Sequence, residues 1–381
     1  MRYPIPAGMA SRAIRLHVLA YGALLFILCT VYAVMVHWGA GLGFDYEAFR
    51  SAALVLAHGG NLYDPGQIWH MENALYNQPA HLGPGDMRYH HLGLYYNPPL
   101  FAAILMPLAR LPHLWGYGLY SMGVLACAML GTWLTLAALD WPYSRTAAIA
   151  VASLTTPVFL TLWFGQLAAF LLCILAGAML CLRRGYPACA GGLMALGLVK
   201  PHLMLPVAVL TPFLLASPVA RRRYVFGYTG IIGCAMVLTV LTTGAGSLMA
   251  WMQTLIHLSG TVETVQNNLP SLGGLLLNVL PQPWNRLLAS LLTILTLAVM
   301  IFITRRARTT GRAAWEVLPL LMVLWIAVTP YVHTPDQTLF LPALALVWRS
   351  MDAKAAFTPP GALRPSILPI LALWAFTLLP F

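Results

Sequence analysis

The chain has 381 residues, of which 60% are hydrophobic and only 8% charged, with a formal net charge of +11 and a mean hydropathy of +0.77. Long apolar runs at this composition mark a polytopic, all-α membrane protein and exclude a water-soluble assembly of domains. The positive charge is spread over the loops, with no dense basic patch carrying interleaved aromatics. Membrane orientation accounts for it, and nucleic-acid binding does not.

Arg2, Arg12 and Arg15 accompany a first apolar run that ends near Val36. It is too long for a signal-peptide core and no small-x-small cleavage site follows, so a retained span with a cytoplasmic N-terminus is predicted. In chain order, the predicted spans are 14–36, 114–138, 146–163, 167–182, 187–200, 202–217, 224–243, 286–304, 314–330, 337–348 and 365–380, eleven in all. Several are short, as tilted or broken helices around a cavity would be. Two further apolar stretches, Pro98–Leu111 and Ser271–Leu280, are of interfacial or re-entrant length. With those two not crossing, sixteen of the twenty-one Lys and Arg fall on the cytoplasmic side. The positive-inside rule predicts such a bias. Residues 1–381 then form one integral membrane domain, and residues 37–113 form its large outer loop, carrying interfacial helices.

That loop holds five of the chain's ten carboxylates, between Asp45 and Asp86. Asp45–His58 is predicted as an amphipathic helix near the bilayer surface, with Phe49, Ala53 and Leu56 on one face. Gln67–Tyr76 is predicted as a second, carrying Ile68, Met71 and Leu75. Asp45 opens the first helix. It reads either as a helix-capping acid or as a general base at the mouth of a membrane cavity. Lys200, one of two lysines, ends an apolar run just before Pro201; it either snorkels to the interface or offers a point charge to a phosphate. Gln166, Asn97, Asn268, His333 and Asp336 lie at outer ends of apolar segments, where capping and hydrogen bonding between His333 and Asp336 are the plain alternatives to function. His81, His90 and His91 lie near Asp86 without ligand spacing, so no metal is expected. The six cysteines all lie in apolar segments and read as small packing residues. No P-loop, GxSxG or dinucleotide fingerprint is present.

Taken in order, several stretches resemble glycosyltransferase family 87, a bacterial multispanning group. They are Asp45-Tyr46; His58-Gly59-Gly60-Asn61-Leu62-Tyr63-Asp64; Tyr96-Asn97-Pro98-Pro99-Leu100-Phe101 with Pro107-Leu108 and Leu111-Pro112; Gly165-Gln166; Ala190-Gly191-Gly192 leading to Lys200-Pro201-His202-Leu203; and Pro330 through Asp336. Residues 81–94 have no counterpart, and Pro335 stands where an aromatic is common. The resemblance implies a GT-C-like fold and an inverting transfer of a sugar, mannose or a related hexose, from a polyprenyl-phosphate donor. The acceptor would be a hydroxyl of a glycolipid or glycan at the periplasmic face of the inner membrane. It implies Asp45 as base, with Lys200, His202, His333, Gln166 and Asn97 toward the donor phosphate. Tyr46, Asn268 and Asp336 would support the acceptor side. No cofactor is expected. A lipid-linked-sugar transporter or flippase, or a structural subunit of an envelope-assembly complex, is the alternative. Polar residues at segment ends rather than mid-bilayer favour the enzyme.

Overall fold

A computed structural model describes residues 43–76, 95–142, 144–153, 155–257 and 271–355. The predicted spans 14–36 and 365–380, the histidines of the 81–91 stretch, and Asn268 lie outside the described residues. Every described element is helical.

The first helices are α1 (Phe44–Ala57), α2 (Pro65–Tyr76) and α3 (Pro99–Ala109), then α4 (His113–Ala138), α5 (Arg145–Ser153) and α6 (Thr156–Phe164). There follow α7 (Ala168–Arg183), α8 (Pro187–Leu196), α9 (Pro201–Leu214), α10 (Pro218–His257), α11 (Leu272–Val279), α12 (Trp284–Thr309), α13 (Ala314–Val328) and α14 (Leu341–Ala355). Among the described residues three helices are long and apolar enough to cross a membrane: α4, α10 and α12. Shorter apolar helices include α3, α7, α8, α9 and α13.

Proline sets the starts of many of these helices. Prolines open α3, α6, α8 and α9, where the missing N–H is one the helix would leave unpaired anyway. One of them also cuts an expected span in two. The 146–163 run becomes α5 and α6, since Pro157 disfavours helical backbone just before it. The expected boundary between the 187–200 and 202–217 spans falls at Lys200, where a 3-10 turn over Gly197–Val199 hands over to Pro201. A 3-10 segment, Thr334–Phe340, likewise precedes α14 inside the expected span 337–348. The 224–243 run, by contrast, lies within the longer α10, which is interrupted at Gly244.

The core is built by close helix pairs. A side chain at Gly131 would strike Leu172 and Cys173 of α7, and one at Gly191 or Gly227 would strike the facing backbone between α8 and α10. Small residues at such crossings let membrane helices approach closely. Half of the apolar window of α4 is buried, against 6% for α10 and 22% for α12. The bare flanks of the latter two are the surface a bilayer would cover.

The expectation that α1 is amphipathic, with one face exposed, is overturned. Tyr46, Ala48, Phe49, Arg50, Ser51, Ala52, Ala53 and Val55 are all buried, so the helix is enclosed on most sides. Its small residues admit α2 and α3, and Arg50 explains its own burial. The guanidinium donates to the carbonyls of Ala109 (3.0 Å) and Leu111 (3.1 Å), closing the C-terminal end of α3. At about 1.5 Å per residue, α3 spans roughly 16 Å, about half a hydrocarbon core, consistent with a segment that does not cross. Cysteines placed at exposed His70 and exposed Thr310 should therefore react with an impermeant thiol reagent from opposite sides of the membrane. Labelling of both from one side would invert the topology.

Candidate functional site

Four polar side chains from four helix ends meet in one hydrogen-bonded line. Asp45 comes from the first turn of α1, Gln166 from the turn after α6, Lys200 from the break between α8 and α9, and Asp336 from the 3-10 segment. Gln166 Nε2 donates to Asp45 Oδ2 at 2.7 Å. Lys200 Nζ donates to Gln166 Oε1 at 2.8 Å and to Asp336 Oδ1 at 2.8 Å. The His333 backbone N–H donates to Asp336 Oδ2 at 3.1 Å, completing a capping box at the start of the 3-10 segment.

Local structure explains why these groups meet. Gly43 precedes α1 in the left-handed region (φ 76°) and its N–H donates to Trp163 O at 2.8 Å, tying the start of α1 to the end of α6. Helix α6 terminates at Gly165, also left-handed at φ 72°. A Cβ there would fall 2.7 Å from the Tyr46 Cβ, so only glycine lets the turn sit against α1 and aim Gln166 at Asp45. Tyr120 Oη donates to Gly165 O at 2.9 Å and fixes the turn from the α4 side. Asn97 Nδ2 donates to Val199 O at 2.9 Å, holding the break that presents Lys200.

The electrostatics separate the two acids. Asp336 has no exposed surface. Burial alone would push its carboxyl upward, but Lys200 and then His333 reverse this and hold it below the ordinary carboxylate range. For Asp45 burial prevails: it is pushed up to about 7, with Lys200 and the Gln166 hydrogen bond pulling down and Asp336 pushing up. Asp45 nonetheless keeps some accessible surface, and His333 is exposed although protein surrounds it closely. Burial, then Lys200, lowers the His333 imidazole, favouring its neutral form.

The structure thus brings Asp45, Gln166, Lys200 and Asp336 into one network, with His333 beside them. His202 stands two residues after Lys200, half-buried, and its carbonyl accepts from Trp325 Nε1 at 2.7 Å. Tyr46 points away. It is 1% exposed, a Cβ on Gly116 would collide with its hydroxyl, and its ring packs against Tyr117 and Tyr120. It therefore acts as a packing residue. Asn97 is likewise buried and occupied with backbone. Sequence reasoning missed the aromatic hydroxyls that hold the site, Tyr120 on Gly165 and Tyr63 on Asn97 O at 2.7 Å. Nothing local in the sequence marks either. Among the described residues no group of three or more His, Cys, Asp or Glu could hold a metal ion.

The family model for glycosyltransferase family 87 matches residues 95–330. No curated protein and no solved structure matches the chain.

Proposed function

Because the chain belongs to glycosyltransferase family 87, we propose that it transfers a hexose, mannose or a close relative, from a polyprenyl-phosphate donor to an acceptor hydroxyl with inversion. One observation carries this reading: a lysine paired with one carboxylate is linked through Gln166 to a second, and the surroundings of the two acids drive their acidities apart. Such a split assigns roles. Asp336 stays ionised as the partner of Lys200. Asp45, held near neutrality, is suited to accept a proton and release it again.

In the proposed step the acceptor oxygen attacks the anomeric carbon from the face opposite the phosphate. Its proton passes to the Asp45 carboxylate as the new C–O bond forms. The bond from the anomeric carbon to the phosphate oxygen breaks, and its electron pair leaves on a polyprenyl phosphate. Charge therefore develops on phosphate oxygens. Lys200 has three N–H donors, of which Gln166 and Asp336 engage two. The third, with His202 and His333, is the proposed contact to the leaving phosphate. Gln166 and Asn97 then act by positioning, the first on Asp45 and Lys200, the second on the break before Lys200.

The wider setting belongs to the same proposal: a GT-C-like fold of about eleven spans in a bacterial inner membrane, with the site on the periplasmic face. A lysine with neighbouring donors stabilises the leaving phosphate without a divalent ion. Purified protein given mannosyl polyprenyl phosphate and a membrane extract as acceptor source should transfer sugar, and should continue to do so after chelation. Transfer from a nucleotide sugar instead, or loss of transfer on chelation, would overturn the donor or the metal-free reading respectively.

A further inference from the structure

Away from the acid–lysine network, the end of α1 with the loop after it and residues 242–250 of α10 form an open groove of about 500 Å³, within the range of small-molecule sites. Its polar lining comes from Gly60, Asn61, Thr242, Thr243, Gly246 and Ser247; Leu56 and Ala250 are its larger apolar members, and no charged side chain lines it. Helix α10 is broken at this level: Gly244 has φ 81° and ψ 157°. In a membrane-embedded helix, irregular backbone is tolerated where it is covered by protein or lines a wet cavity. Here it adjoins the cavity.

The lining has a defined hydrogen-bonding character. Thr242, Thr243 and Ser247 donate their hydroxyl protons to Leu238 O (2.7 Å), Thr239 O (2.9 Å) and Thr243 O (2.8 Å) in their own helix. With their protons used, these oxygens have only acceptor capacity left to offer a ligand. Across the groove the Asn61 Oδ1 accepts from the Tyr63 N–H at 3.0 Å, which leaves the amide NH₂ as donor. Acceptors on one wall and a donor on the other suit groups that both donate and accept. An uncharged lining does not suit a phosphate or carboxylate, and hydroxyls do not suit an acyl chain.

We propose that this groove binds neutral oligosaccharide: the distal sugars of the acceptor. The proposal rests on the glycosyltransferase reading. Asp45 and Leu56 are eleven residues apart on α1, about 16 Å at 1.5 Å per residue. An acceptor hydroxyl at Asp45 and a sugar in the groove thus belong to one chain of several rings.

Gly246→Leu tests this, because a Cβ at Gly246 meets nothing within 4 Å and the added side chain enters open space. The probes are an alkyl glycoside of one hexose and a linear alkyl tetrasaccharide of the same hexose. Relative to the parent, Gly246→Leu should raise KM for the tetrasaccharide by about ten-fold or more. KM for the monosaccharide, both kcat values and the melting temperature should stay put. In the absence of donor, Asp45→Asn should still bind the tetrasaccharide, and Asp45→Asn with Gly246→Leu should not. Equal effects on both acceptors, no effect on either, or a response to alkyl length rather than sugar number would overturn the proposal. If no transfer occurs at all but tetrasaccharide binding is still lost with Gly246→Leu, the groove stands and the transferase reading falls.

Discussion

Asp45→Asn is expected to lower turnover roughly 10²–10⁴-fold, with donor binding retained and folding undamaged. The alternative of a helix cap is weakened by the geometry: α1 is preceded by Gly43, no side chain caps it, and the Asp45 carboxylate instead accepts from Gln166. Asparagine keeps an oxygen for that bond and loses only the proton-accepting charge. The pH dependence gives a second readout. Burial raises Asp45 from the ordinary carboxylate value to about 7, so the parent's activity should rise with pH through that region as the base ionises. Stability runs the other way. Between the unfolded value near 4 and about 7 the folded protein holds a proton that the unfolded chain has released. Ionising Asp45 therefore costs stability progressively as pH rises through this window. Asp45→Asn should remove both limbs and be at least as stable as the parent above pH 7. Glu47→Gln, two residues on and on another side of the helix, is the control that should leave turnover near the parent's. Near-parental activity in Asp45→Asn would end the catalytic assignment.

Much of the scaffold was legible because it is written locally. Apolar runs gave α4, α7 and α13 to within two residues at each end, and Pro201 marked the break that presents Lys200. The first two helices of the outer loop were legible from their periodicity. What local pattern could not show was enclosure. The face carrying Phe49 and Ala53 was visible, but the burial of Arg50 and Ser51 depends on α3, which ends fifty-nine residues later at the carbonyl Arg50 holds. The site divides in the same way. Asp45, Gln166 and Lys200 were each conspicuous as rare polar groups at apolar-segment ends, but their contacts span 121 and 34 residues. Tyr46, singled out by its place beside Asp45, turned out to face the core, since neighbours on a helix point about 100° apart. Asp336, expected on the acceptor side, is instead the buried partner of Lys200, 136 residues away.

That pairing sets the second large effect. From sequence, Lys200→Met is expected to leave folding nearly intact and weaken only donor binding. The structure reverses the first half. Lys200 and Asp336 are 8% and 0% exposed and 2.8 Å apart. Removing the ammonium strands a carboxylate with no access to water, and breaking a buried pair in this way costs roughly 3–5 kcal/mol. Lys200→Met should therefore be poorly folded, with loss of activity that says nothing about phosphate. The double variant Lys200→Met with Asp336→Leu separates the two roles. It removes both charges, and replacing a buried pair by apolar groups is commonly neutral or stabilising. The coupling between the two substitutions should be large and favourable. If Lys200 also meets the donor phosphate, the double variant will fold and still fail to bind mannosyl polyprenyl phosphate. Lys200→Arg will recover only part of that binding, because a planar fork cannot reproduce one ammonium shared among Gln166, Asp336 and a phosphate oxygen. Restored donor binding and turnover in the double variant would instead make Lys200 a purely structural partner of Asp336. The leaving phosphate would then depend on His202 and His333 alone.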